Sequence, residues 1–362
     1  MPQLSDYLLR HGLIKAGQLD QAREYRKTHG GGLGTGVLKM GLLSREALAL
    51  AGLFFLAAAF SVALSAQGQE PETPRRAGNP PIQASPAEVE LYERAKTLMD
   101  WTPRQIAAMP VFRKLRPPTQ EDQLSRVLER AGQTVALLLQ DFPQVACDEE
   151  LNSEATVLGA SGQPSKFRES KFRYIVIPEQ IGDLRAFKEY RTDLNGNPIG
   201  VGTPSYFFMI TTNFVATALY LNAAQQADSH FRYFGMQTIR SRECHVVGFA
   251  QNPEKARFVG LLYLQGKRVV LLNQGLVWID SETSQILRVT TWLLAPRTDI
   301  GLRSESSTVD FFPVQLSGSA KALWLPRDVK VEGVYGGMWF RNTHHYSHFK
   351  LFRVESTIKP GP

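Results

Sequence analysis

The chain has 362 residues, of which 43% are hydrophobic and 21% are charged, and its formal net charge at pH 7 is +7. These fractions are ordinary for globular proteins and exclude wholesale disorder. Basic residues alternate with acidic ones, as between Arg240 and Glu243, whereas nucleic-acid-binding proteins concentrate lysine and arginine on one element. The composition therefore predicts no nucleic-acid partner.

Residues 3–50 contain an internal repeat, whose first copy begins at Leu4 and whose second copy begins 29 residues later, at Leu33. Each copy has apolar residues at helical spacing, then a glycine that ends a short helix, then a second helix. The repeat predicts a small all-helical module over residues 1–46.

This repeat resembles the N-terminal domain of type II secretion and type IV pilus assembly ATPases, in which two such motifs, each beginning Arg-Leu-Gly, can bind cyclic di-GMP. The resemblance implies a secretion-machinery partner and a nucleotide site at Leu4, Leu33 and Gly34. The chain has Gln3 and Gly32 where the family has arginine, the side chain best suited to nucleotide phosphates.

Residues 47–66 contain no charged residue and almost only apolar side chains, and a helix of roughly 20 such residues crosses a bilayer. The small residues at its end also fit a signal peptide cleaved after Ala66, and Met40 is an alternative start. We predict a transmembrane helix or a signal segment, with a buried helix as the third alternative. The Pro/Gly-rich residues 67–84 then form a linker.

Three helices are predicted in residues 85–141. Ser85 begins a capping box with proline at the first helical position, Thr102 again precedes a proline, and Thr119 caps an amphipathic third helix.

Residues 142–358 show an alternation of period two that predicts a β-rich exported domain. The predicted strands are 145–157, 167–177, 184–192, 231–240, 244–249, 258–264, 269–272, 275–279, 286–292, 307–313, 324–334 and 338–346. The apolar segment 205–223 predicts a helix that covers one face of the sheet. The fold class is therefore α+β: a small all-α module, one transmembrane or signal helix, then a curved antiparallel sheet or open half-barrel with covering helices.

One hairpin carries a second resemblance, through the run Gly275-Leu276-Val277-Trp278-Ile279-Asp280, followed by Glu282-Thr283 and by Ile286-Leu287-Arg288. It resembles periplasmic lipoprotein carriers and sensors of the Lol type, and residues 323–357 look like uncharacterised exported bacterial proteins with the same hairpin. The resemblance covers roughly residues 145–357. It implies a half-open barrel that shelters acyl chains against a covering helix, with a lipid or lipoprotein as ligand.

An aromatic set in the same domain either belongs to the core or lines the apolar cavity that a lipid-binding protein requires. Its members are Phe207, Phe208, Phe214, Tyr220 and Phe231.

Cys147 and Cys244 are the two cysteines of the chain, and they form either one disulfide in an oxidising compartment or two buried free thiols. Because His245 directly follows Cys244 on a strand, the two side chains face opposite ways, which argues against a Cys–His nucleophile.

His344, His345 and His348 are the nearest approach to a metal motif. On a strand His345 points away from the other two, and His344 and His348 would be roughly 13 Å apart, too far for one ion. We predict a solvated strand face, and no metal site or cofactor.

These patterns together predict a non-enzymatic bacterial envelope protein, located in the inner membrane with a periplasmic C-terminal domain or exported after cleavage. Its β-rich domain binds a lipid, a lipoprotein or a protein partner. A secretion-related or cyclic-dinucleotide-responsive regulator is the first alternative, and an unrecognised hydrolase is the second.

Overall fold

The computed structural model describes residues 15–29, 37, 39–40 and 42, and residues 83–351 with gaps at 119–122, 159–165, 182–183, 198–213, 258, 265–266 and 318–320. The chain divides into two compact units. The smaller unit comprises Met1–Thr73, Gly200–Met209 and Leu262–Arg268, and the larger comprises Pro74–Ile199, Ile210–Leu261 and Val269–Pro362. Several predictions fall outside the described residues: the nucleotide site at Leu4, Leu33 and Gly34, the segment 47–66, Thr119, Phe207 and Phe208.

In the smaller unit the helix α1 spans Ala16–His29. Leu19 and Ala22 are buried, and most of the other side chains are exposed, as expected for an amphipathic helix. The helix lies where the first repeat predicts its second helix. None of the helices that the structure describes is both long enough and apolar enough to cross a membrane.

The larger unit contains three α-helices and five 3₁₀ helices among its described residues. They are α2 (Pro86–Glu93), η1 (Leu98–Asp100), α3 (Pro103–Ala108), η2 (Pro110–Phe112), α4 (Gln123–Asp141), η3 (Val215–Leu221), η4 (Ala223–Asp228) and η5 (Thr298–Ile300). The predicted capping box is present, because the Ser85 amide donates to the Glu88 carboxylate at 2.9 Å. Thr102 likewise caps α3.

Each of the twelve predicted strands is present. They are β1 (Val145–Val157), β2 (Lys166–Ile181), β3 (Leu184–Thr192), β4 (Ser229–Ile239), β5 (Arg242–Gln251), β6 (Gly260–Leu264), β7 (Lys267–Leu271), β8 (Asn273–Asp280), β9 (Ile286–Leu293), β10 (Leu302–Val314), β11 (Leu323–Tyr335) and β12 (Met338–Leu351).

Ten strands form one antiparallel sheet in the order β3-β2-β1-β12-β11-β10-β9-β8-β5-β4, and β6 pairs with β7 in a separate two-stranded sheet. The large sheet does not close on itself within the described residues, since β3 and β4 are its two edges. An α+β protein with a large open antiparallel sheet is therefore confirmed.

The sheet is covered on two sides. On one side, α4 and η3 pack against it, with η3 lying against β3 and β9; this side is called the η3 face below. On the opposite face, η1 and η2 cover an apolar cluster that includes Leu98, Phe112, Phe234, Val246 and Trp278. The sheet is thus the middle layer of three.

The prediction of one covering helix over 205–223 is wrong about the type of helix. From residue 214 onward the segment forms the 3₁₀ helices η3 and η4 rather than an α-helix. The interruption has a local reason: the backbone of Asn222 is not helical, with φ −59° and ψ 129°, and its side chain accepts a hydrogen bond from the Ala224 amide at 3.0 Å. An asparagine that bonds its own backbone in this way competes with continuous helix formation.

Candidate functional site

A row of valines crosses the middle of the η3 face on five neighbouring strands. Cross-strand pairs join the members directly, and all five are buried: Val329, Val309, Val289, Val277 and Val247. Side chains that pair directly across antiparallel strands lie on the same face of the sheet. The row is therefore one continuous apolar strip, called the valine row below.

The cover of this face is η3, whose seven residues are aliphatic or small except for Tyr220. A 3₁₀ helix has poorer hydrogen-bond geometry than an α-helix, so runs beyond three or four residues are uncommon. Polar contacts hold it at its two ends. The Glu189 carboxylate accepts hydrogen bonds from the Phe214 and Val215 amides at 3.2 Å each, and Asn273 donates to the Tyr220 hydroxyl at 3.2 Å.

Three of the five predicted cavity residues lie within the described part of the chain. Tyr220 stacks on Phe249 with ring centroids 4.3 Å apart, and Phe231 pairs with Phe249 across β4 and β5. Phe214 lies at the other end of η3, with its ring 4.9 Å from that of His344. The aromatic residues thus flank the valine row, and the prediction that they line a ligand cavity remains a prediction.

A buried polar cluster lies on the η3 face where β1, β3 and β12 approach the Phe214 end of the cover. Its centre is the Glu149 carboxylate, which is fully buried. The Arg191 guanidinium donates to both Glu149 oxygens, from Nε at 2.5 Å and from Nη2 at 2.9 Å. The Tyr346 hydroxyl donates at 3.0 Å, and the Nδ1 atom of His344 lies 2.7 Å from the same oxygen. This arrangement is called the Glu149 cluster below.

The protonation of the Glu149 cluster follows from these contacts. Burial by itself raises the pKa of Glu149, but the charge of Arg191 and the bond to His344 outweigh it, so the pKa falls to about 2. Burial lowers the pKa of His344 against the opposing pull of Glu149. His344 is therefore neutral at pH 7, with Nδ1–H donating to Glu149. The Nε2 atom of His344 has no hydrogen-bond partner in the part of the chain that the structure describes.

The prediction that His344, His345 and His348 lie on a solvated strand face is wrong for His344. His344 is fully buried on the η3 face, because β12 is an interior strand and the His344 and Tyr346 side chains both point towards Phe214 beside η3. His345 and His348 are exposed, beside Asp328 at 2.7 Å and Asp148 at 3.2 Å. Among the described residues no group of three His, Cys, Asp or Glu side chains could hold a metal ion.

Cys147 on β1 and Cys244 on β5 are both buried free thiols, so the disulfide is not formed in this structure. The sheet order explains why, because five strands separate β1 from β5 at a spacing of about 4.8 Å each, whereas a disulfide needs Cα atoms within about 7 Å. The thiols are also poor nucleophiles: burial raises the pKa of Cys147, and it raises the pKa of Cys244 to about 11.

Glu149 and Arg191 were not singled out from the sequence, where Glu149 is the middle residue of the acidic run 148–150. The alternation of residues along β1 did indicate that the Glu149 side chain is buried. Cys147, Glu149 and Leu151 occupy one face of the strand, and two of the three are apolar. A carboxylate between two buried positions requires a positive partner, and Arg191 supplies it from β3.

No protein-family model and no curated protein matches the chain. Among solved structures it is similar to a putative outer membrane lipoprotein-sorting protein domain from Vibrio parahaemolyticus, with 10% identity over 63% of this chain and 92% of that one, at a TM-score of 0.35.

Two other solved structures give similar values. A DUF1329 family protein from Desulfovibrio piger has 10% identity over 65% of this chain and 96% of that one, with a TM-score of 0.36. A LolA superfamily protein from Nitrosomonas europaea has 12% identity over 64% and 94%, with a TM-score of 0.27. Two of these three structures are named for lipoprotein sorting or for the LolA superfamily.

Proposed function

We propose that the β-rich domain is a non-enzymatic binding domain for an acyl chain, carried by a lipid or a lipoprotein, between the valine row and η3. The observation that supports this is the valine row itself: five buried valines on five adjacent strands under a cover that is not an α-helix. Because η3 occupies this space in the structure, η3 would have to move away from the sheet for the acyl chain to bind there.

The energies permit such an exchange. Burying one CH₂ group contributes about 0.8 kcal/mol, so a sixteen-carbon chain contributes about 12 kcal/mol. Withdrawing the four large side chains of η3 (Val215, Leu219, Tyr220 and Leu221) costs about 1.5–3 kcal/mol each, or roughly 6–12 kcal/mol. The two terms are similar in size, so an acyl chain can replace η3 whereas a short polar ligand cannot.

A pair of matched variants tests where the chain binds. Val289→Thr places a hydroxyl in the valine row, and Val246→Thr places one in the apolar cluster on the opposite face; both valines are fully buried. The stability costs should be similar, because each variant buries the same group. We expect Val289→Thr alone to weaken binding of a fluorescent fatty-acid analogue. Equal affinities of the two variants would contradict the proposal.

Hydrogen exchange provides a second readout that does not depend on a substitution. With a bound fatty acid, the backbone amides of η3 and η4 should lose protection, whereas those of α2 should be unchanged. If the η3 amides instead become more protected, η3 stays on the sheet and the fatty acid binds elsewhere, which would contradict the proposal.

The location of the domain is part of the proposal. The apolar segment 47–66 supports membrane anchoring or export, and the repeat in residues 3–50 supports a secretion-machinery partner or cyclic di-GMP as ligand of the N-terminal module. Fractionation of the tagged full-length protein, with its intact mass, tests the first. Titration of the full-length protein with cyclic di-GMP tests the second, and unchanged heat signals would exclude that ligand.

A further inference from the structure

A pocket of about 260 Å³ lies between the first half of α4 and the ends of β5 and β8. Its polar lining consists of Arg126 and Arg130 from α4, His245 from β5, and Ser281 and Ser284 from the turn after β8. Every polar side chain among the described lining residues can donate a hydrogen bond, and none of these residues is acidic.

No acidic side chain among the described residues lines the pocket or forms an ion pair with its two arginines. Arg126 and Arg130 are four residues apart, so they lie on the same side of α4. Neither guanidinium group has an ion-pair or hydrogen-bond partner among the described residues. The two carboxylates nearest along the lining strands are already occupied: Asp280 pairs with Arg242 at 3.0 Å, and Glu243 pairs with Arg116.

The floor of the pocket is held in place before any ligand arrives. The Asp280 carboxylate accepts hydrogen bonds from the Glu282 and Thr283 amides at 3.2 and 2.7 Å, which fixes the turn that carries the two serines. The Nδ1 atom of His245 lies 2.9 Å from the Tyr233 hydroxyl, which orients the ring. Donors fixed in this way lose little entropy when they bind an anion.

The pocket also adjoins the valine row. His245 and Ile279 come two residues away from Val247 and Val277 on the same strands, so they share the η3 face and lie about 7 Å further along it. The cationic pocket therefore lies at one side of the valine row. An amphiphile with an anionic head group requires this arrangement, with an apolar surface next to a positively charged one.

We propose that this pocket binds a phosphate group through the side chains of Arg126 and Arg130, with His245, Ser281 and Ser284 as further donors. The geometry of guanidinium groups suits phosphate oxygens. Two sources share this chemistry, the headgroup of an anionic lipid and a free phosphate ester. The lipid source rests on the proposed function, and the position beside the valine row favours it. The volume of about 260 Å³ admits a glycerophosphate headgroup but no acyl chain, so the chain must lie outside the pocket.

Three probes separate the two sources. Monoacylglycerol phosphate carries both the chain and the phosphate, monoacylglycerol carries the chain alone, and glycerol phosphate carries the phosphate alone. Each is titrated into the full-length protein and into the double variant Arg126→Gln/Arg130→Gln. The control is Arg104→Gln/Arg303→Gln, which removes the same charge from two exposed sites outside the pocket.

For the native protein and the control we expect monoacylglycerol phosphate to bind at least about tenfold more tightly than monoacylglycerol. This difference should vanish in the pocket variant, and added salt should reduce it. Glycerol phosphate should bind weakly, and the same variant should abolish its binding.

Other outcomes separate the two proposals. If glycerol phosphate binds as tightly as its acylated form and the pocket variant abolishes both, the pocket stands and acyl binding fails. If both acylated probes bind equally to all three proteins, acyl binding stands and the phosphate pocket is overturned. If no probe binds, both proposals are overturned.

Discussion

Among the described residues of the larger unit, arginine and histidine side chains come together in the Glu149 cluster and in the pocket on α4, and the surroundings of the two sites differ in one respect. In the Glu149 cluster, Arg191 and His344 share one buried carboxylate, whose oxygens lie 2.5–2.9 Å from Arg191 and 2.7 Å from His344. In the pocket on α4, Arg126 and Arg130 lie beside His245, and no carboxylate is among the lining residues that the structure describes. The same residue types are neutralised internally in one place and left positive in the other.

This difference separates a structural role from a binding role. A buried charge remains only if a partner balances it, since its desolvation costs several kcal/mol. The Glu149 cluster is therefore part of what holds β1, β3 and β12 together. The pocket arginines are exposed to water and cost little when unpaired, so they are available for an external anion.

The largest expected effect is that of Glu149→Gln. The substitution leaves the buried Arg191 without its counter-charge, and breaking one half of a buried pair costs about 3–5 kcal/mol. Urea unfolding followed by circular dichroism measures the free energy of unfolding. Glu150→Gln is the matched control, because Glu150 is the next residue of β1 and its pair with Lys171 is exposed. Equal midpoints of the two variants would show that the cluster is not structural.

Acidification should weaken the same cluster in the native protein. The pKa of Glu149 is about 2 in the folded protein and about 4.3 in an unfolded chain, so the unfolded state binds the proton first as pH falls. The lowered pKa of His344 acts in the same direction, beginning below about pH 6.5. Stability is therefore complete near neutral pH and is lost downward, by roughly 3 kcal/mol for Glu149 by about pH 2.

Urea midpoints measured from about pH 7 to about pH 3 check this dependence. The Glu149→Gln variant should show a shallower decline over the lower part of that range. If its decline is as steep as that of the native protein, the acid sensitivity arises at other carboxylates.

Removal of one hydroxyl from the cluster should have a smaller effect. Tyr346→Phe deletes a hydrogen bond to a charged acceptor, which contributes about 1.5–3 kcal/mol. Tyr220→Phe deletes the bond from Asn273, a neutral donor, and should cost about 1 kcal/mol. The ratio of the two losses is the informative quantity, and thermal unfolding of both variants gives it. A larger loss of stability for Tyr220→Phe than for Tyr346→Phe would contradict this prediction.

The strands were predictable because their signal is local. Alternation of apolar and polar side chains depends only on residues two apart, and it located each of the twelve strands, including β1 at residues 145–157. The type of the covering helix was not predictable in the same way. The side chain of Asn222 determines where η3 ends. The sequence shows an asparagine in an apolar run, but it does not show which backbone group that side chain bonds.

The two arginine–histidine sites depend on contacts between residues distant in the sequence. Glu149 and Arg191 are 42 residues apart, and Glu149 and His344 are 195 apart, so no local pattern pairs them. Helical spacing places Arg126 and Arg130 on one side of α4. Which strands lie opposite that side follows only from the sheet order, in which β5 and β8 are neighbours.

The smallest expected effect on stability is that of Arg126→Gln/Arg130→Gln, and this small effect is what distinguishes the pocket from the Glu149 cluster. Two positive charges four residues apart on a helix repel each other by about 0.2–0.5 kcal/mol, so their removal should leave the free energy of unfolding unchanged or slightly higher. Urea unfolding in low salt without phosphate measures it, and about 10 mM phosphate should stabilise the native protein but not the variant, because only the native pocket binds the anion. A loss of more than about 1 kcal/mol in the variant would mean that the arginines, like Arg191, serve the fold.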